Sequence, residues 1–149
     1  MPNVDAFDLQ RFVTAQEPMI DTALAELRAG HKRTHWMWFI FPQLRGLGQS
    51  SMALHYGIST LEEARAYLQH PELGPRLVAS TQVVLGAPGA SLHDIFGSPD
   101  DMKFRSSMTL FALAAEGSSS SIYHQALDKW CNGKLDPKTV HMLTGKRDG

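Results

Sequence analysis

Nine residues, His35-Trp36-Met37-Trp38-Phe39-Ile40-Phe41-Pro42-Gln43, hold two of the three tryptophans and two of the seven phenylalanines of this 149-residue chain. Aromatic side chains bury large areas and dominate core energetics, so the rest of the chain has to enclose a run this dense. It shows no polar face at a spacing of 2 or of 3.6, so periodicity does not separate a short buried helix from a buried extended segment. A buried helical turn or an irregular segment is expected, and Pro42 sets an extended exit by disfavouring helix at Phe41. Polar sequence brackets the run: His31-Lys32-Arg33-Thr34-His35 before it, and a glycine-rich stretch from Gln43 to Ser51 after it. An aromatic wall opening onto polar loops describes a ligand site and a core equally well.

The flanking sequence reads as helices. Phe7, Leu9, Phe12 and Val13, then Met19, Ile20, Ala23, Leu24 and Leu27, recur at three- and four-residue spacings from Asp5 to Gly30. Pro18 divides this stretch and is expected to start its second helix, which Gly30 ends. Ser50 or Ser51 caps a short helix that ends at Gly57, and Thr60-Leu61-Glu62-Glu63 is a capping box. His70-Pro71 ends the helix so begun, and another runs from about Leu73 to Leu85. Ser91 caps one turn through Phe96. Ser98-Pro99-Asp100-Asp101 then places a cap, a proline at the first position and two carboxylates at the start of a helix to about Ala115. Gly117 and Ser118 to Ser121 form a flexible link; a further helix runs to Cys131, stopped by Gly133, and Asp136-Pro137 opens a last one before a frayed tail from Gly145. The expectation is an all-α, compact single-domain bundle of six to eight short helices, residues 1–149 with a core from about 5 to 144, around a buried aromatic segment.

Composition narrows function by exclusion. A formal net charge of -1 gives no global signature for nucleic acid, and no stretch approaches the ~20 apolar residues that cross a bilayer. The first residues show no basic region followed by an apolar run, so a cytoplasmic location is expected. Cys131, the single cysteine, reads as a buried inert thiol. Oligomeric state is not legible.

Chemistry has few places to sit. Lys103, Ser106 and Ser107 fall at i, i+3 and i+4 of one predicted helix, a face that would grip a phosphate or sugar; the alternative is a solvated face braced by an Asp100–Lys103 ion pair. His31 and His35 stand four apart, but without a metalloprotease glutamate and next to Gly30, so no metal site is expected, and no cofactor. Gly46-Leu47-Gly48 lacks the third glycine and preceding strand of a phosphate loop. Asp94, Asp100, Asp101, Glu62 and Glu63 are candidate general bases, and helix capping explains all five.

Four further stretches accompany the aromatic run: Gly46-Leu47-Gly48-x-Ser50, Tyr56-x-Ile58-x-x-x-Glu62-Glu63-Ala64, His70-Pro71-x-Leu73-Gly74-x-Arg76-Leu77, and Ile95-Phe96-Gly97-x-x-Asp100-x-x-Lys103-x-Arg105-Ser106-Ser107-Met108-Thr109-Leu110-Phe111. Together they resemble an uncharacterised family of bacterial and fungal proteins, catalogued as a domain of unknown function and sometimes labelled calpastatin, from about Leu9 to Leu143. Calpastatin itself is a disordered repeat protein, unlike this chain. The helix order also resembles the NADAR superfamily, whose members hydrolyse N-glycosidic bonds of ADP-ribose or of riboflavin intermediates. That superfamily's late Asp-x-Tyr-Trp-Gly segment and an equivalent of its catalytic glutamate are missing here, so the resemblance implies retained binding as readily as hydrolysis. The resulting expectation is a domain that binds a nucleotide or ribosyl-phosphate ligand through His35, Trp36, Trp38, Gln43, Ser50, Lys103, Arg105 and Ser106, with N-glycosidase chemistry as its extension. The rival is a non-catalytic protein-interaction module in which the aromatic run is plain core.

Overall fold

The aromatic run folds as a single helical turn, Met37–Ile40, one of ten helices in the computed structural model, which describes residues 5–115 and 121–145. In chain order the helices are α1 (Gln10–Gln16), α2 (Ile20–Arg28), α3 (Met37–Ile40), α4 (Ser51–Tyr56), α5 (Leu61–Gln69), α6 (Leu73–Gly86), α7 (Leu92–Phe96), α8 (Asp100–Ala114), α9 (Ile122–Cys131) and α10 (Pro137–Thr144). The all-α expectation holds, with ten helices among the described residues rather than six to eight. The expected link at 117–120 and the tail beyond Gly145 lie outside the described residues.

Local chemistry explains most boundaries. Ser50, Thr60, Ser91, Ser121 and Asp136 each accept the backbone N–H three residues on, which satisfies one of the amides a helix start leaves unpaired. At the end of α2, Gly30 takes φ +81° while its N–H reaches Leu27 and that of His31 reaches Glu26, a paired closure that needs the left-handed conformation. Four expectations are corrected. α1 begins at Gln10, not Asp5, because the Asp5 carboxylate folds forward to accept the N–H groups of Leu9 and Gln10. Pro18 lies ahead of α2, whose cap is Met19. Pro99 occupies the cap of α8 after a cis Ser98–Pro99 bond, so Ser98 caps nothing there. Glu63 reaches past Thr60 to the N–H and hydroxyl of Ser59.

α8 is the central helix. It packs against α5, α7, α9 and α10, and Phe104, Met108, Leu110 and Phe111 are all fully buried. Its hydroxyl residues are buried too: Ser106 and Thr109 return their hydroxyls to the carbonyls one turn back, so they sit inside without a solvated face. Phe104 meets Phe41 edge-on and stacks on Phe96, each at 5.0 Å between ring centres. The turn α3 is thereby fixed to α8 by aromatic packing. A parallel bridge between Leu44 and Ile58 draws the strand-like exits of α3 and α4 together. Gly57 makes this approach feasible, since a Cβ there would stand 2.6 Å from the Arg45 Cβ. Among the described residues no helix is long and apolar enough to cross a membrane.

Candidate functional site

A narrow cleft opens where α3, α4 and α8 converge. α3 and its exit contribute Met37, Trp38, Phe41 and Gln43; α4 contributes Ala53, Tyr56 and, at its end, Gly57; α8 contributes Lys103. The one-turn length of α3 accounts for the division of labour within the aromatic run. Phe39 and Ile40 belong to the core, Met37 and Phe41 are buried where the core meets the cleft, and Trp38 is left partly exposed on the cleft side. The Lys103 ammonium lies 5.5 Å from the centre of a Trp38 ring, a cation–π geometry.

Two polar atoms here are unusual. The indole nitrogen of Trp38 is buried and has no hydrogen-bond partner among the described residues, and the Ser107 hydroxyl, one turn along α8 from Lys103, shares that condition. Buried polar groups in native proteins nearly always find a partner, so an unpaired indole N–H on a residue that lines a cleft is an exception. The other two tryptophans contrast with it: Trp36 donates to Glu26 at 2.9 Å and Trp130 to the Val84 carbonyl at 3.2 Å.

Charge is organised behind the cleft. Lys103 is 3.5 Å from Asp100, the pairing expected from their i, i+3 spacing, and Asp100 is also 2.8 Å from Lys32. Lys32 in turn lies 5.1 Å from a Trp36 ring centre. The basic segment bearing Lys32 is held by Glu26, which accepts the N–H groups of Arg33 and Thr34, the Thr34 hydroxyl and the Trp36 indole. Partial burial pushes the Glu26 carboxyl up, but these hydrogen bonds outweigh it and bring it down to about 2. A carboxyl depressed in the folded state stabilises fully above its unfolded value near 4.5 and loses that contribution as pH falls toward 2. Because Glu26 is partly exposed, Glu26→Gln is expected to cost only about 1–2 kcal/mol at neutral pH. Urea unfolding of both proteins should show the gap closing between pH 5 and pH 2; a pH-independent gap contradicts the assignment.

Of the eight residues expected to form a site, the structure brings together Trp38, Gln43 and Lys103. The others stand apart. Trp36 is fully buried behind the cleft. His35 is exposed on the loop before α3. Ser50 spends its hydroxyl on the α4 cap. Arg105 points to the far side of α8, donating to the carbonyls of Lys134 and Leu135, and the one Ser106 O–H is shared between the Met102 carbonyl and the Asp136 carboxylate at 3.2 Å. The expected Lys103–Ser106–Ser107 grip is therefore corrected, because α10 packs against the Ser106 side of the helix and Ser107 is fully buried. Asp94 takes the Ala90 N–H in a capping arrangement, and Glu63 is buried against Arg11 at 2.8 Å. Cys131 is partly buried, which pushes its thiol up, with Arg105 opposing. Among the described residues there is no group of three or more side chains that would hold a metal ion.

Sequence reasoning missed Tyr56, Ala53 and Gly57 as cleft residues and Lys32 as the partner of Asp100. All four depend on how α4 and the basic loop pack, which no local spacing encodes. These features define an all-helical domain with one small aromatic cleft edged by an ammonium group. The chain matches a protein family of unknown function, DUF1810, over residues 6–143, and belongs to it. A solved structure, that of the conserved hypothetical protein Rv1873 from Mycobacterium tuberculosis, is 55% identical, covers 93% of this chain and 98% of its own, and superposes with a TM-score of 0.89. No functionally curated protein matches the chain. Neither the calpastatin label nor a NADAR relationship is carried by these matches.

Proposed function

We propose that this protein is a small-ligand-binding domain whose cleft receives the phosphate-bearing end of a nucleotide or ribosyl-phosphate ligand. The observation that carries this reading is the pairing of the Lys103 ammonium with a Trp38 whose buried indole N–H has no acceptor. A cation and an unpaired donor on one aromatic surface suit an anionic oxygen, and the Gln43 amide and Tyr56 supply further polar contacts for a sugar. The cleft is narrow, with room for little more than one water-sized group, so it takes a single anionic oxygen and leaves the rest of the ligand outside. The exposed loop bearing His31, Arg33 and His35 joins the rim through Lys32 and Asp100, and would meet what projects.

Binding without glycosidic cleavage is the form of this reading that the chemistry favours. Among the described residues no carboxylate lines the cleft, and Asp100, beside Lys103, is engaged by two lysines, which suits charge placement rather than proton transfer.

Thermal unfolding with ADP-ribose and with ribose 5-phosphate tests the proposal. Ligand at a hundredfold excess over Kd stabilises by about 2.7 kcal/mol, a rise of about 5–10 °C for a domain of this size. Lys103→Ala is expected to fold normally and to weaken binding about tenfold or more, the loss of a charge-assisted contact. No shift with either ligand at millimolar concentration, or undiminished binding by Lys103→Ala, would overturn it.

A further inference from the structure

Three charged groups set the electrostatics of the cleft, and only one of them lines it. Lys103 and Asp100 by themselves form a neutral pair, 3.5 Å apart, and would offer a ligand no net charge. Lys32 changes that balance. At 2.8 Å it is the closer partner of Asp100, and its side chain is only 8% exposed. Its backbone N–H is anchored to the Ile95 carbonyl at 2.7 Å, and its ammonium lies over Trp36, in the core, rather than in the cleft.

We propose that Lys32, which does not line the cleft, is what makes the cleft select anions: it neutralises Asp100 from behind and leaves the charge of Lys103 uncompensated above Trp38. This inference rests on the reading of the cleft as a binding site and names the charge class of its ligand. Lys32 is a positioning residue, acting through Asp100. The physical reason is elementary. With both lysines present the triad carries one net positive charge; without Lys32 it carries none, and Lys103 is drawn toward the carboxylate. One unit charge about 6 Å away changes the local concentration of a monovalent anion about threefold at the dielectric constant of water, and by more in a cleft that excludes it.

A purely structural Lys32, tying the basic loop to α8, would affect stability alone, and a charge cycle separates the two roles. The probe is iodide, an anionic quencher of tryptophan fluorescence, compared with the cation caesium. Measurements are made in a Trp130→Phe background: Trp36 is fully buried, so quenching reports Trp38. The unsubstituted triad is expected to be quenched more strongly by iodide than by caesium. Lys32→Met should lower the iodide-to-caesium ratio about ninefold, about threefold for each ion in opposite directions, Lys32→Arg should keep it, and adding Asp100→Asn to Lys32→Met should restore it, because the net charge returns to one. Asp100→Asn alone should raise the ratio above that of the unsubstituted triad, which provides a test even where Lys32→Met fails to fold. A ratio unchanged in folded Lys32→Met, no recovery in the double variant, or no rise in Asp100→Asn overturns the proposal. Iodide is independent of any ribosyl phosphate. An intact charge cycle without ADP-ribose or ribose 5-phosphate binding therefore refutes the functional reading alone, and the reverse pattern refutes only the role of Lys32.

Discussion

Arg11→Met is expected to lower the stability of the protein by about 3–5 kcal/mol, the cost of leaving a buried carboxylate without its cation. Arg11 and Glu63 form the most enclosed ion pair described, at 2.8 Å with side chains 8% and 3% exposed. The guanidinium also donates to the carbonyls of Phe7, Asp8, His55 and Gly57, and lies 4.3 Å from the Phe12 ring centre. One side chain thus joins the start of α1, the end of α4 and the first turn of α5. Because Gly57 and the neighbouring Tyr56 line the cleft, Arg11 also fixes one of its walls. Urea unfolding measures the loss. Arg11→Met combined with Glu63→Gln should recover more than about 1 kcal/mol of it, since no buried charge is then stranded. A loss below about 1 kcal/mol for the single variant contradicts this account of the joint.

Phe104→Ala is expected to cost about 3–5 kcal/mol, the range for emptying a fully enclosed aromatic site. Phe104 is fully buried and meets both Phe41 and Phe96 at 5.0 Å, while Phe41 also contacts Trp36 and Phe96. Aromatic pairs of this kind add about 0.5–1.5 kcal/mol beyond area burial, so the loss should lie toward the upper end. Phe104→Leu, which keeps most of the volume, should cost about 1–2 kcal/mol by the same measurement. Equal effects of the two variants would mean that the site collapses around the smaller side chain and that α3 is not fixed by this cluster.

The helices were legible where local chemistry decides them. Caps at Ser50, Thr60, Ser91 and Asp136 and the stop at Gly30 act within four residues, and the structure uses each. A boundary failed where a side chain reaches further: the Asp5 carboxylate accepts the N–H groups of Leu9 and Gln10 and so starts α1 from several residues ahead. The candidate site followed the same divide. Lys103 facing the aromatic run was expected, and Trp38, Gln43 and Lys103 do share a cleft. Arg105 and Ser106, adjacent in sequence, face α10 or its approach, since helical geometry turns each residue about 100° from the last. Lys32 and Arg11 were out of reach of sequence reasoning, because their partners Asp100 and Glu63 lie far along the chain.

The central claim, that an acceptor-bearing ligand binds at Trp38 beside Lys103, is tested most directly by following the three indole N–H resonances in a proton–nitrogen correlation spectrum during titration with ADP-ribose. Trp36 and Trp130 already donate to Glu26 and Val84, whereas Trp38 has no acceptor among the described residues, so the Trp38 resonance alone should move, downfield and saturably, and should need at least about tenfold more ligand to move in Lys103→Ala. A Trp38 resonance that stays fixed in the unsubstituted protein at millimolar ligand, or a saturable shift confined to Trp130, would contradict the account.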